Sequence, residues 1–135
     1  MHVTYTKGQV AMMKVQLRAA EKGMVVLLPT TEARYDLVLD DGSRLYRGQV
    51  KYAGWERKAQ GSVHLDLRKQ TRNRGAARAY SKDEVDVLLV YIPQIEKVLW
   101  VGPEIFHDTK TVTFRFDRSK NGQTKRIRLA SDFIW

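Results

Sequence analysis

The chain has no cysteine, which excludes disulfides, zinc–thiolate centres and cysteine nucleophiles and points to an intracellular, cytoplasmic setting. No apolar stretch approaches the ~18 residues of a membrane span, and no secretory h-region follows Met1, so no membrane partner is expected. No repeat, low-complexity tract or linker divides the 135 residues, so a single domain over 1–135 with its own core is expected. Negative charge is also scarce: 15 Asp and Glu stand against 24 Lys and Arg, a net charge of +9.

The excess is clustered. Residues 53–82 hold eight basic side chains against two acidic, and residues 110–128 hold seven against one. Clustering of this kind in a globular domain suggests a polyanion, most often nucleic acid; the plainer alternative is a solvated basic surface. The candidate DNA contacts are Arg68, Lys69, Arg72, Arg74 and Arg78 in the first segment, and Arg115, Arg118, Lys120, Lys125, Arg126 and Arg128 in the second.

Hydrophobic periodicity supplies the elements. Val10, Met13, Leu17 and Ala20 recur at helical spacing, which predicts a helix over 7–22 with that stripe as its core face, stopped by Gly23. Met24–Leu28 is a continuous apolar run read as a buried strand. Val63, Leu65 and Leu67 alternate with His64, Asp66 and Arg68, a strand with His64 facing outward, and 69–80 reads as a loop. Residues 85–92 form a second buried strand, with Lys97–Val101 as its antiparallel neighbour and a helical turn over 103–106. A terminal hairpin is expected from 112–116 and 125–129 around Asn121-Gly122, with Val112, Phe114 and Phe116 on one face and arginines on the other. Such a ribbon fits a DNA major groove; an edge hairpin kept soluble by charge has the same pattern. Trp55, Trp100 and Trp135 read as core or interface anchors, and Met12 and Met13 as core fillers.

The chemistry gathers on a second hairpin, 35–51. Asp41-Gly42 lies between Tyr35-Asp36-Leu37-Val38-Leu39 and Leu45-Tyr46-Arg47-Gly48-Gln49-Val50-Lys51. A two-residue turn puts Asp36 opposite Arg47, with Asp36, Arg47, Gln49 and Lys51 on one face and Leu37, Leu39, Tyr46 and Val50 on the other. A carboxylate, an amide and an ammonium then converge on a surface backed by a core, the layout of a metal-dependent phosphodiesterase. Asp36 offers a carboxylate, Gln49 an amide oxygen and Val50 a backbone carbonyl to a hard cation such as Mg²⁺, while Lys51 stabilises developing negative charge. Spacing alone is met equally by an ordinary ion pair on an exposed sheet face.

Asp36, twelve residues, then Gln49-Val50-Lys51, preceded by a helix carrying Lys7-Gly8, resembles the PD-(D/E)XK nuclease superfamily. The segments Tyr35–Val38, Leu45–Tyr52, Tyr80–Asp86 and the basic terminal hairpin resemble one branch more closely, the homing endonucleases encoded by group I introns in cyanobacteria. The resemblance covers nearly the whole chain. It implies an α/β fold, a restriction-endonuclease-like mixed sheet flanked by helices with a C-terminal β-hairpin extension. It also implies Mg²⁺-dependent cleavage of double-stranded DNA at a long, near-palindromic site by a homotetramer. A junction resolvase of the same superfamily and a non-catalytic DNA-binding protein on the same scaffold are the alternatives. By the family pattern Asp36 is the principal metal ligand and Lys51 the motif lysine, while Gln49 stands where most members have Asp or Glu. A helix glutamate belongs a few residues after Lys7-Gly8, but 9–14 read Gln-Val-Ala-Met-Met-Lys. Its place is Ala11 or Met12. On a wheel centred on Val10, Met13 and Leu17, Ala11 lies off the core face, and alanine is what truncation of a glutamate leaves, so Ala11 is the preferred position and points to an inactivated variant; a native alanine of good helix propensity is the alternative.

Overall fold

The all-apolar run Val87–Ile92 is buried at every residue and forms the middle of the molecule, with sheets or helices on both of its faces. In the computed structural model, which describes residues 3–54, 61–69, 78–117 and 128–135, this strand is β7. Around it lie helix α1 (Val3–Glu21), β1 (Val25–Leu27), β2 (Leu37–Asp40), β3 (Leu45–Tyr52) and β8 (Lys97–Val101). The five strands form one sheet in the order β1-β2-β3-β7-β8, in which only β3 and β7 are parallel. A second sheet has the order β10-β9-β4, from β4 (Ser62–Asp66), β9 (Thr111–Arg115) and β10 (Arg128–Leu129). Two-residue strands β5 (Arg68–Lys69) and β6 (Arg78–Ala79) pair with each other, and α2 (Pro103–Phe106) and a 3₁₀ turn over Ala130–Phe133 complete the described elements. α1 covers one face of the large sheet through Ala11, Val15 and Ala19 against Leu37, Leu39 and Leu89; the small sheet covers the other, with Val63, Val112 and Phe114 against Leu88, Val90 and Leu99.

Several expectations change. The buried stripe of α1 is Ala11, Val15 and Ala19, whereas Met13 and Leu17 are 69% and 57% exposed and Ala20 is exposed as well. The helix carries two apolar stripes, and the one with small residues is the one that lies close against a flat sheet. Its end is as expected: Gly23 takes φ +73°, and the Met24 and Gly23 amides donate to the Ala19 and Ala20 carbonyls, a Schellman closure. β1 is an edge strand with Val25 and Leu27 exposed, because it pairs with β2 alone. The terminal strands do pair, but β10 runs parallel to β9, with Arg128 beside Phe114, so they form no hairpin. Trp55 and Asn121-Gly122 fall outside the described residues. Trp100 and Trp135 pack together against the α1-side core, with ring centroids 5.5 Å apart.

The 35–51 hairpin forms with a four-residue loop rather than a two-residue turn, since Asp40 pairs with Leu45. Asp41 accepts the amides of Ser43 and Arg44, and Asp40 accepts that of Gly42, so the two carboxylates cap the longer loop. Those amides, Ser43 first, hold the Asp41 carboxyl below the usual carboxylate range. The register therefore moves by two residues: Val38 faces Arg47, and Leu37 faces Gly48. A two-residue slip keeps strand side chains on their faces, so Gln49 and Lys51 stay on the face away from Leu37 and Leu39, while Asp36, ahead of the strand, also reaches the helix side beside Val50.

Candidate active site at the Asp36 edge

Asp36 stands just ahead of β2 and is tied to β3 twice. Its amide donates to the Gly48 carbonyl at 2.8 Å, and its Oδ2 accepts the Val50 amide at 2.9 Å. The side chain thus takes the place of the next carbonyl in the ladder and is held beside Gln49, Val50 and Lys51. Gly48 permits the tight packing beneath, for a Cβ there would lie 3.0 Å from Leu89 Cδ1 and 3.1 Å from Leu37 Cδ1. A carboxylate has about four acceptor positions, so the Val50 bond is compatible with metal ligation through the rest of the group.

On the helix side an open cleft is lined by Gly8, Gln9, Met12, Met13 and Gln16 of α1 together with Asp36 and Val50. Met12 is half-buried and lines it. Ala11 does not: it is 1% exposed, in the core with Leu37 and Leu89. The expectation that Ala11 lies off the core face is therefore corrected, because the buried stripe runs through it.

On the other side, Lys51 Nζ lies 4.9 Å from the centroid of the Tyr80 ring. Tyr80 is 3% exposed. Burial first, and then the charges of Asp36, Asp66 and Glu84, push its phenol up to about 12. Tyr80 belongs to this site, although the sequence marks it only as the start of the Tyr80–Asp86 segment and not as a neighbour of Lys51; the fold brings it there.

Arg47 is engaged elsewhere. Its guanidinium makes a two-pronged pair with Asp86, Nε to Oδ2 at 3.0 Å and Nη2 to Oδ1 at 3.1 Å, and its amide donates to the same carboxylate. Nη1 donates to the Asp83 carbonyl at 2.7 Å. These bonds raise the Arg47 guanidinium further above its ordinary value and hold the Asp86 carboxyl below its own. The cluster fixes β3 on the start of β7. Among the described residues no group of three or more His, Cys, Asp or Glu side chains is placed to hold a metal ion.

Of the basic candidates, Arg115 and Arg128 are half-buried in the small sheet, on β9 and β10. Arg68, Lys69 and Arg78 are placed by backbone on β5 and β6. Arg72, Arg74, Arg118, Lys120, Lys125 and Arg126 lie outside the described residues. His64 is exposed as expected and pairs through Nδ1 with Thr113 Oγ1 at 2.6 Å. His107 accepts the Lys82 amide at 3.1 Å.

A carboxylate pinned to the strand of a Gln-x-Lys triplet, beside a helix on a mixed sheet, is the arrangement of the PD-(D/E)XK class of endonucleases. The sequence pattern of the PD-(D/E)XK endonuclease family matches residues 2–135, and the chain belongs to that family. Among solved structures it is similar to a bacterial homing endonuclease, I-Ssp6803I, with a TM-score of 0.77 over 98% of this chain and 89% of that one. At 24% identity this is a likeness of fold. No curated protein matches the chain. No described helix is long and apolar enough to cross a membrane.

Proposed function

We propose that the chain is a homing endonuclease that hydrolyses phosphodiester bonds of double-stranded DNA at a long near-palindromic site, with Mg²⁺ as cofactor. The observation that carries this reading is the double tie of Asp36 to β3, which sets its carboxylate against the backbone of the Gln49-Val50-Lys51 triplet. The donors there are all hard oxygens: the Asp36 carboxylate, the Gln49 amide and the Val50 carbonyl. Mg²⁺ is satisfied by one or two carboxylates with waters, so this set fits it. Bound there, the ion would polarise the phosphoryl oxygen and acidify a water. Asp36 and Gln49 would hold the ion, and Lys51 would offset the negative charge that accumulates on the phosphate during attack. Arg115 and Arg128, with the basic residues of 68–78 and 118–126, would hold the duplex. The exposed apolar side chains Val25, Leu27 and Leu28 along the β1 edge support assembly with further copies, a homotetramer in our reading. The setting is the cytoplasm.

A second reading, a DNA-binding protein without catalysis, is favoured by one specific feature: Asp36 has a neutral Gln49 and an apolar Met12 for neighbours where the family pattern places acids. The test is incubation with a plasmid library carrying randomised inserts in Mg²⁺, followed by sequencing of the cut ends. Ends converging on one long near-palindrome support the endonuclease. Tight retention of one sequence without cutting selects the second reading, and preferential cutting of four-way junctions selects a resolvase.

A further inference from the structure

We propose that Tyr80 is the positioning residue for Lys51: its buried ring face holds the ammonium in place beside Asp36. This rests on the reading above, in which Lys51 faces the reacting phosphate. Strand register fixes the Cα of Lys51 but not its ammonium, which rides on a four-carbon stem with about 2 kcal/mol of rotamer freedom. A group that stabilises transition-state charge has to be held within about 0.5 Å of its working place. The Tyr80 ring meets that need. Its centroid is 4.9 Å from Nζ, inside the ~6 Å range of cation–π attraction.

Two features separate this contact from the other lysine–tyrosine pairs of the molecule. Lys7 over Tyr52 and Lys14 over Tyr91 are both at 5.7 Å, and their rings sit on the helix side of the sheet. Tyr80 is closer and belongs to the opposite core, packed with residues such as Val90. It is also braced along the chain. Its carbonyl accepts the Asp108 amide at 3.3 Å, and the turn that follows closes with the Glu84 and Val85 amides on the Ser81 carbonyl. The ring is therefore packed in a core on a backbone that is itself hydrogen-bonded. Burial and the neighbouring carboxylates keep its phenol protonated, so it offers Lys51 a neutral π face instead of a counter-charge that would cancel the ammonium. The hydroxyl has no part in this role, and only the ring is required.

The experiment compares Tyr80→Phe, which keeps the ring, with Tyr80→Leu, which keeps apolar bulk and removes it. The first readout is independent of activity: the side-chain ¹H–¹³C resonances of Lys51, assigned with Lys51→Arg. They should be shifted upfield by the ring in the parent and in Tyr80→Phe, and return to ordinary lysine positions in Tyr80→Leu. The second is Mg²⁺-dependent cleavage. In Tyr80→Leu kcat should fall about tenfold with KM and DNA affinity unchanged, while Tyr80→Phe stays within about threefold of the parent. If Tyr80→Leu does not fold, Tyr80→Met takes its place. Lys51 resonances that ignore the loss of the ring overturn the contact, whether or not the chain cuts DNA. A lost ring shift with unchanged kcat overturns the positioning role. A parent that cuts no DNA in Mg²⁺ refutes the endonuclease reading instead, and the contact is then decided by the resonances alone.

Discussion

A glutamate placed at position 11 and one placed at position 12 should have opposite consequences. Ala11 is 1% exposed, packed among Leu37, Leu89 and the helix's own Val15. In Ala11→Glu the added bulk overpacks this layer at about 1–3 kcal/mol. The carboxyl must also stay neutral or be buried charged. If burial raises it by about 3 units, at 1.36 kcal/mol each, the further loss at neutral pH is about 4 kcal/mol. A total of about 5–7 kcal/mol consumes most of the ~5–15 kcal/mol by which a domain of this kind is stable. The pH dependence follows from the sign of the shift. With the folded carboxyl raised above its unfolded value of about 4.3, the electrostatic penalty is absent below pH ~4, grows as pH rises toward the folded value, and is constant beyond it. Thermal melts of Ala11→Glu should thus approach the parent near pH 4 and fall far below it at pH 7.5. Met12 is half-buried and lines the cleft with Asp36 and Val50, so Met12→Glu should fold at neutral pH and add a second carboxylate to the cleft beside Asp36. It should bind Mg²⁺ more tightly than the parent. With a Kd near 1 mM, 10 mM Mg²⁺ would stabilise it by about 1.4 kcal/mol, visible as a metal-dependent rise in Tm and accompanied by a gain in cleavage. An Ala11→Glu protein as stable as the parent at pH 7.5 would refute the packing of α1. A Met12→Glu protein indifferent to Mg²⁺ would refute the cleft as the metal side of the site.

Three further outcomes test other parts of the structure. Asp86→Ala removes the carboxylate that takes the Arg47 amide and guanidinium, and after allowance for its partial exposure it should lower stability by about 1–2 kcal/mol in urea unfolding. Because the Asp86 carboxyl is held low in the fold, its contribution is full above its unfolded value of about 3.9 and is lost as pH falls through the folded one, so the variant should show a shallower acid limb. Lys51→Ala should reduce cleavage about 10²–10³-fold with DNA binding nearly unchanged, and cleavage near the parent rate would put the site elsewhere. DNA affinity should fall with salt at a log–log slope of about −0.9 per phosphate neutralised; a flat response would exclude DNA as the partner, and changes at Arg115, Arg126 or Arg128 should alter specificity more than changes across 68–78.

Elements whose burial is uniform were legible in the sequence. Val87–Ile92 is apolar at all six positions and buried at all six, and its neighbour Lys97–Val101 lies where the run and the intervening turn place it. Elements that depend on choosing between equivalent faces or partners were less so. The outward turn of Met13 and Leu17 is one case, since an apolar stripe at 10, 13, 17 and 20 and another at 11, 15 and 19 have the same period. The parallel pairing of β9 with β10 is another, because alternation fixes which side chains share a face and says nothing of strand direction.

The candidate site divides along the same line. Its strand half was readable because the side-chain period of a strand is two: the loop at Asp41–Arg44 is two residues longer than the Asp-Gly pair suggests, yet Gln49 and Lys51 stay on the face away from Leu37 and Leu39. Asp36 is brought to that strand by its own two hydrogen bonds, which no period predicts. The helix half has no such protection. Successive residues on a helix differ by about 100°, so an error in placing the buried stripe exchanges Ala11 for Met12 and moves the missing acid from the cleft into the packed layer. Tyr80 lies beyond both periodicities, in a strand-to-turn segment, and meets Lys51 through the tertiary fold. What a local period fixes can be read from one segment; what a tertiary contact fixes requires the fold, and in this chain the Tyr80 ring near the Lys51 ammonium is of the second kind.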